Sequence, residues 1–195
     1  AMFSPPKLLS AHRRQLCCIS RLEMIDYRKN EARFAMFSIT LITMGKLKEK
    51  FYISAAEEYK KRLGGYCAFT LLELPEARLP ENPSPGEIEA GLEKEAELIF
   101  SKIPKGSWFC VLTPEGKALS SEAFADKLRD VKNSGKSSAC FLIGSSFGMS
   151  PRVKQRADFR LSMGAMTFPH HLARIMVLEQ LYRAEAIQAG SKYHK

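Results

Sequence analysis

Two kinds of hydrophobic pattern alternate along the chain from residue 37 onward. Short apolar runs rich in β-branched residues are typical of buried strands, whereas apolar residues that recur every three or four positions indicate amphipathic helices. The run SITLITM, which ends at Gly45, and the helical face formed by Phe51, Ala55, Tyr59 and Leu63 are the first example of each. The pattern predicts strands at residues 38–44, 67–74, 108–112, 139–144 and 159–163, with long helices at 48–63, 87–103 and 169–190 and another helix after a Ser120/Ser121 cap.

Strands that are apolar almost throughout, and that alternate with helices, are typical of a parallel-rich sheet with helices on both faces. The sequence therefore predicts an α/β fold of this kind. In such sheets, ligands bind beyond the carboxyl ends of the strands. Three of the predicted strands are followed by segments that contain glycine and little charge, LTPEGK (112–117), GSSFGMS (144–150) and MGAMTF (163–168). These three segments together form the candidate site.

The beginning of the chain differs from the rest, because the first 35 residues lack strand alternation and contain no acid before Glu23. We predict an N-terminal extension at residues 1–35 and a single domain at residues 36–195. An organellar presequence has such a composition, but a start codon assigned upstream of Met36, or a cloning remnant ahead of Met2, explains it equally well. The expected location is the cytoplasm, or an organelle if the extension is a genuine presequence.

Composition narrows the class of protein further. Residues 1–35 hold seven of the 30 Lys and Arg and three of the 21 acids, so residues 36–195 keep a surplus of +5 out of the total of +9. This surplus favours a polyanionic partner. No apolar run approaches the ~18 residues of a membrane helix, so no membrane association is expected. The five cysteines form no CxxC pair and the four histidines are scattered, so no metal site is predicted and the thiols are expected to be reduced and structural.

The residue types in the candidate site restrict its ligand. GSSFGMS has neither the GxGxxG spacing nor the GK[ST] ending of phosphate-binding loops, which argues against a nucleoside triphosphate. By itself it is also explained as a glycine turn before a helix capped by Ser150. MGAMTF offers thioethers and main-chain groups without charge, which suits a ligand that is partly apolar and partly adenine-like. The alternative is that Met163, Met166 and Phe168 are ordinary core residues.

Longer segments resemble a known family. FLIGSSFGMS, RADFRLSMGAMTFPHHLARIMVLEQLYRA and the terminal GSKYHK are similar to the SPOUT-superfamily methyltransferases. The specific likeness is to the small family that methylates N3 of a pseudouridine in large-subunit ribosomal RNA. ITLITMGKLKEKFYISAAEEYKKRLG also resembles the N-terminal strand and helix of that family, so the resemblance extends from about Met36 to Lys195.

This resemblance implies a SPOUT-type fold with a C-terminal trefoil knot, a homodimer, and S-adenosylmethionine held by three loops. It also implies that the substrate is large-subunit rRNA, which is expected to be methylated within the assembled ribosome. Two positions depart from the family pattern, since Ser145 replaces a second glycine and Ala165 stands where a polar or basic residue is frequent. A Cβ at position 145 would be strained if φ there were positive. Carried over by position, the cofactor contacts are Leu112, Gly144, Met163, Gly164, Ala165, Met166, Thr167 and Phe168.

The expected catalytic residues come from the last helix and the C-terminal tail. The N3–H of a uracil-like base is a weak acid, so its methylation requires a base or a cationic field that favours the anion. By the resemblance, the tail serves the substrate side of a site built by both protomers. The expected roles are His194 as proton acceptor, Tyr193 as a stacking and hydrogen-bonding group, and Lys195 with Arg183 as anion or phosphate contacts. Because chain ends commonly fray, a tail without function is the alternative.

Other polar residues of the last helix are expected to have lesser roles. The partial positive charge at a helix N-terminus disfavours protonation, so structural hydrogen bonds are expected for His170 and His171. Arg174, one turn later, is expected to reach RNA or a partner subunit. Glu179 and Gln180 are expected at the dimer face.

The predicted function is therefore S-adenosylmethionine-dependent methylation of N3 of a pseudouridine in large-subunit rRNA. Two alternatives stay open at this point: a SPOUT methyltransferase that acts on another RNA, and a non-catalytic ribosome-binding factor with the same fold. A third possibility, a basic oligomerisation domain, leaves the three loops and the tail unexplained.

Overall fold

The computed structural model describes residues 36–191 and 193. The predicted extension at residues 1–35 therefore lies outside the described residues. Strands and helices alternate along the described chain as the hydrophobic pattern predicts. In order they are β1 (Ser38–Met44), α1 (Lys50–Leu63), β2 (Ala68–Leu74), α2 (Pro85–Lys102), β3 (Trp108–Ala118), α3 (Ser121–Asn133), β4 (Ser138–Ile143), α4 (Pro151–Arg156), β5 (Phe159–Ser162) and α5 (His170–Gln188).

The five strands form one sheet in the order β2-β1-β4-β3-β5. All four neighbouring pairs are parallel, which confirms the predicted α/β class. In a parallel sheet the carboxyl ends of all strands lie at the same edge. Since β4, β3 and β5 are consecutive in the sheet, the segments that follow them in the chain meet side by side at that edge.

Helices cover both faces of the sheet, as predicted. Alternate residues of β4 point to opposite faces, so that Phe141 and Ile143 pack in one core while Cys140 and Leu142 pack in the other. The first core is closed by α1, α3 and α5, and the second by α2 and α4. The sheet is therefore buried on both sides, which explains why its central strands are apolar throughout.

The cysteines of the described chain are core residues. Cys67, Cys110 and Cys140 are free thiols and are buried. Burial raises the pKa of Cys67 and of Cys140 to about 12, and it also raises the pKa of Cys110. These thiols stay protonated at neutral pH, as expected for structural residues.

Strand β3 is longer than predicted. The sequence predicts that it ends at Leu112, whereas the strand continues to Ala118 with a register shift between Leu112 and Lys117. The chain leaves the β5 ladder after Leu112 and rejoins it where Lys117 pairs with Leu161. Gly116 makes this return possible, because a Cβ there would lie 2.7 Å from the Leu161 carbonyl carbon. The segment 112–117, which is predicted to be a loop, is therefore a bulge in the pairing of β3 with the edge strand β5.

Side-chain caps define where several helices begin. Ser120 accepts from the amide of Ala123 and Ser150 accepts from the amide of Arg152, which confirms both predicted caps. Helix α2 begins at Pro85, two residues earlier than predicted, because Ser84 and Glu87 form a reciprocal capping box. The trefoil knot concerns the path of the C-terminal chain and stays a prediction.

We expect Gly116→Ala to destabilise the protein, because its methyl group would meet the backbone of β5 and neither strand can move without losing hydrogen bonds. Overpacking of this kind costs roughly 1 to 3 kcal/mol in the free energy of unfolding, measured by urea denaturation. Gly86→Ala is the control, since nothing lies within 4 Å of its added Cβ and its φ is not positive. Equal stability of the two variants would contradict the close approach at Gly116.

Candidate functional site

A cleft of about 600 Å³ lies at the carboxyl ends of β3, β4 and β5. The bulge of β3 and the loops after β4 and β5 form its walls, and the first turn of α5 closes one side. Clefts of 300 to 1,000 Å³ are the usual size for small-molecule and cofactor sites. The strand order therefore brings three segments that are separate in sequence around one cleft of the size of a cofactor site.

The loop after β4 is a tight turn built on two glycines. Ser145 and Gly148 exchange backbone hydrogen bonds, with N–O distances of 3.0 and 2.9 Å, and Gly148 has a φ of +91°. The turn folds back onto Gly144, so that a Cβ at Gly144 would overlap the carbonyl oxygen of Gly148. No other residue type fits position 144 without moving the turn.

Ser145 fits this turn without strain. Among the described residues, every one with a positive φ is a glycine, so the strain considered for a Cβ at position 145 does not arise. Its hydroxyl donates a hydrogen bond to the carbonyl of Gly148, with an O–O distance of 3.4 Å. The departure from the family pattern at Ser145 is therefore compatible with the fold of the loop.

The loop after β5 presents the exposed side chain of Met166 to the cleft. Met166 is 75% exposed, while Met163 and Phe168 are partly buried. Gly164 has a φ of +121°, and its N–H and C=O both lie 3.2 Å from the hydroxyl of Ser162. The alternative that the apolar residues of this loop are ordinary core residues is therefore wrong for Met166.

The bulge of β3 at residues 112–117 carries an ion pair to the opposite wall. The ammonium of Lys154, on α4, lies 2.6 Å from a carboxylate oxygen of Glu115, and the hydroxyl of Thr113 donates to the same carboxylate. These bonds, that from Lys154 first, lower the pKa of Glu115 to about 2. Lys154 lines the cleft, but the carboxylate of Glu115 balances its charge. The wall of the cleft is thus close to neutral.

A histidine pair lies at the start of α5. The Nε2 atoms of His170 and His171 are 2.9 Å apart, and His170 lines the cleft. Burial, followed by the proximity of His171, lowers the pKa of His170. One ring must donate and the other accept in such a contact, so at least one of them is neutral. The expectation of structural hydrogen bonding is confirmed for this pair.

Arg174 lies in the interior, so its expected contact with RNA or a partner subunit is wrong. Its side chain is only 1% exposed, and its guanidinium lies 2.5 Å from Glu73 and 2.9 Å from the carbonyl oxygen of Gly45. Burial lowers the pKa of Arg174 despite the carboxylate. The residue instead joins the first turn of α5 to the ends of β1 and β2. A position one turn into an amphipathic helix does not distinguish an exposed arginine from one that pairs with a distant acid.

The cleft brings together seven of the eight residues predicted to contact a cofactor. Ala165 is exposed and is not among the lining residues. Sequence reasoning missed Lys154 and assigned His170 to hydrogen bonding alone, because nothing local to either residue indicates the cleft. The predicted residues that line it are Leu112, Gly144, Met163, Gly164, Met166, Thr167 and Phe168.

The described residues that are predicted to act on the substrate do not lie at the cleft of their own chain. Arg183 makes a salt bridge of 2.6 Å to Glu179, and its guanidinium carbon lies 4.9 Å from the centre of the Tyr193 ring. Arg183 and His170 are separated by roughly 20 Å along α5, at 1.5 Å per residue. Neither Arg183 nor Tyr193 lines the cleft of the same described chain. The predicted roles of His194 and Lys195 lie outside the described residues.

Two further properties concern only residues 36–191 and 193. Within these ranges, no three or more His, Cys, Asp or Glu side chains are grouped so that they could hold a metal ion. No helix of this part of the chain is both long and apolar enough to span a bilayer.

Comparison with known proteins identifies the family. Residues 37–194 match the family described as predicted SPOUT methyltransferase. The chain belongs to the SPOUT methyltransferase family. Methyltransferases of this family use S-adenosylmethionine as the methyl donor. The cleft fits such a cofactor, because its wall is close to neutral and is lined by Gly144, Gly148 and Gly164.

Two relatives of this SPOUT methyltransferase carry the name Ribosomal RNA large subunit methyltransferase H. The protein of Clostridioides difficile (strain 630) is 44% identical and that of Ligilactobacillus salivarius (strain UCC118) is 45% identical, each over 158 residues. Each alignment covers 81% of this chain and 99% of the relative. Among solved structures, a probable methyltransferase from Bordetella pertussis Tohama I matches with a TM-score of 0.51 at 16% identity, over 80% of this chain and 99% of that chain, which supports the fold.

We expect Glu73→Gln to destabilise this SPOUT methyltransferase, because the buried guanidinium of Arg174 would lose its anionic partner. Loss of one partner from a fully buried pair costs roughly 3 to 5 kcal/mol, so about 2 kcal/mol is expected here, where Glu73 is 32% exposed. The control is Glu58→Gln, since the Glu58 side chain is 53% exposed in its pair with Arg62 and such pairs contribute about 0 to 1 kcal/mol. Urea denaturation compares the two, and equal losses would argue against a structural role for the buried pair.

Proposed function

We propose that the protein uses S-adenosylmethionine to methylate N3 of a pseudouridine in large-subunit ribosomal RNA. The observation that carries the proposal is the 44 to 45% identity to proteins named Ribosomal RNA large subunit methyltransferase H across almost their whole length. The choice of pseudouridine N3 rests on the resemblance of the loops and tail to the family with that specificity.

The cofactor is proposed to bind in the cleft at the carboxyl ends of β3, β4 and β5. Leu112, Gly144 and the segment 163–168 are its proposed contacts, and main-chain groups of the two glycine loops would receive the adenine and the methionine part. A ligand that carries a positive sulfur is repelled by an unpaired cation. The pairing of Lys154 with Glu115 removes that repulsion, which supports a cationic ligand in this cleft.

Methyl transfer depends mainly on the alignment of the base with the methyl group of the cofactor. S-adenosylmethionine, when bound, supplies a methyl group activated by its positive sulfur. The protein's task is to hold N3 of the base in line with that methyl group, which contributes up to roughly 7 to 11 kcal/mol for well-oriented reactants. The N3 proton must also leave, and a positioned general base typically contributes about 10² to 10⁴-fold. His194 is the proposed acceptor, with Tyr193 stacking on the base and with Arg183 and Lys195 favouring its anion.

A homodimer is proposed because the tail is distant from the cleft of its own chain. The tail contact Arg183–Tyr193 lies near the end of α5, whereas the cleft lies at the beginning of that helix. Two copies arranged so that the tail of one meets the cleft of the other would complete the site. This arrangement agrees with the composite site that the resemblance implies.

The target base is proposed to be unpaired and presented by the assembled ribosome. N3 lies on the Watson–Crick edge, so it is accessible only in an unpaired or extruded base. The domain of residues 36–195 leaves little room for a separate RNA-reading module. Comparison of methylation rates on naked rRNA, isolated large subunits and whole ribosomes tests this part, and we expect the fastest rate on whole ribosomes. Equal rates on all three would contradict it.

We expect Gly144→Ala to weaken S-adenosylmethionine binding by at least about ten-fold, because the added methyl group displaces the 145–148 turn that lines the cleft. Calorimetric titration of the purified protein measures this affinity. Gly86→Ala, in α2, should bind the cofactor like the wild type, because Gly86 does not line the cleft and nothing lies within 4 Å of its added Cβ. If the wild type does not bind at millimolar cofactor, the non-catalytic ribosome-binding factor becomes the better description.

The modified nucleoside is the decisive readout. In cells that lack the protein, we expect mass spectrometry of large-subunit rRNA to show loss of N3-methylpseudouridine. Wild type should restore it, while His194→Ala and Arg183→Ala should not, because each removes a group proposed to favour the base anion. A modification that persists in the null cells, or a loss that maps to another RNA, would overturn the assignment of the substrate.

A further inference from the structure

A row of aromatic and imidazole rings leads from the protein surface to the cofactor cleft. The ring of Phe51 lies 4.2 Å from that of Tyr52, the Tyr52 ring lies 6.1 Å from that of His171, and the two histidine rings are 3.9 Å apart. His170, at the inner end, lines the cleft. The α1 and α5 helices thus present one continuous surface of rings that ends at the proposed methyl-transfer site.

The outer end of this row is exposed to solvent. Phe51 is 65% exposed, so its ring gains little from burial in the folded chain. A single exposed apolar residue needs no explanation, but an exposed ring in contact with other rings that reach a binding cleft offers a flat face to a ligand. Such a face is suited to stacking with a nucleobase.

Three lysines come shortly before Phe51 in the chain. Lys46, Lys48 and Lys50 are all exposed, and none forms an ion pair with a residue that the structure describes. Glu49 is the exposed acid between them, and Glu76 lies 3.9 Å from His170 at the inner end. The carboxylate of Glu76 also lies close to Gly45, next to Lys46, so three lysines face two acids and leave a surplus of one positive charge.

We propose that Phe51, Tyr52 and the three lysines form a platform for single-stranded RNA beside the cleft. In this arrangement the Phe51 ring stacks on a base that flanks the target nucleotide, and the lysines contact the adjoining phosphates. The proposal rests on the proposed function, since an RNA substrate has to reach the cleft. It assigns the surface to RNA rather than to a protein because unpaired cations beside an exposed ring match a phosphate chain with splayed bases, whereas a protein partner would need a larger apolar area.

The unpaired state of the target explains why a stacking surface is useful at this place. A base that enters the cleft leaves its neighbours without one stacking partner. A protein ring that takes that position holds the strand open and orients it. The platform is therefore a positioning device for the substrate and takes no part in the transfer itself.

Binding of a fluorescein-labelled single-stranded oligouridine, followed by fluorescence anisotropy, tests the platform in the full-length protein. We expect Phe51→Ala to weaken binding by about 5- to 150-fold, the range that corresponds to the loss of one aromatic–base stack. Phe51→Trp should retain the wild-type affinity. The matched control is Ile53→Ala, another exposed apolar residue of α1, which carries no ring that could stack on a base and should have no effect.

The lysines have a separate signature in the salt dependence. Lys48→Ala should lower the slope of the logarithm of affinity against the logarithm of salt concentration by about 0.7, as expected for one lost phosphate contact to a single strand. Lys136→Ala is the control, because Lys136 is exposed just before the amino end of β4, whereas the platform and the cleft lie at the carboxyl ends of the strands, and it should leave the slope unchanged.

The outcomes separate the platform from the proposed function. If the wild type methylates rRNA but Phe51→Ala binds the oligonucleotide like the wild type, the platform is wrong and the function stands. If Phe51→Ala keeps its oligonucleotide affinity and yet methylates ribosomes slowly, the ring contacts a ribosomal protein and the platform is again overturned. If the wild type binds no S-adenosylmethionine but its RNA affinity depends on Phe51, the platform stands and the function fails. A fall of cofactor affinity in Phe51→Ala equal to the fall in RNA affinity would indicate a general disturbance of α1 and would also overturn the proposal.

Discussion

The parallel pairing of β3 with both β4 and β5 is the constraint on which the site depends. Because the three strands run in the same direction, the chain leaves them at the same edge, and three segments separated in sequence become neighbours. The pairing tolerates little change at two positions where backbone meets backbone. Gly116 lets β3 return to β5, and Gly144 lets the turn after β4 fold over its own strand. Both positions exclude a side chain for a geometric reason, and both shape the same cleft.

A second constraint fixes the helix that completes the cleft. Arg174 is buried, and its guanidinium holds the carbonyl of Gly45 and the carboxylate of Glu73, so the first turn of α5 is tied to the ends of β1 and β2. His170, one turn earlier, is thereby placed at the wall of the cleft, and His171 is placed beside Tyr52. A single interior charge therefore positions both the inner wall of the cofactor site and the row of rings that leads away from it.

The order and type of the elements could be predicted from the sequence because each strand is a continuous apolar run and each long helix has a regular apolar face. The general position of the site followed from the rule that ligands bind at the carboxyl ends of parallel strands. The burial of Arg174 could not be predicted, because its partner Glu73 is far away in the sequence. The extension of β3 to Ala118 was also missed, since Pro114 and Gly116 are typical of loops and the pairing of Lys117 with Leu161 depends on tertiary contact. Lys154 was missed for the same reason, as it lies on α4 and its partner Glu115 lies in the bulge of β3.

The exposure of Met166 makes the cleft sensitive to oxidation. Among the methionines of the described chain, Met166 is the most open to solvent, and its thioether lies on the wall of the cleft. Peroxide converts an accessible thioether into a sulfoxide, which places a polar, chiral group where an apolar one had been, and methionine sulfoxide reductases reverse the change. The exposure that lets a cofactor enter the cleft therefore also makes Met166 the methionine of the described chain that is most accessible to oxidants. The thiols of Cys67, Cys110 and Cys140 are buried in the core and are protected from the same oxidants.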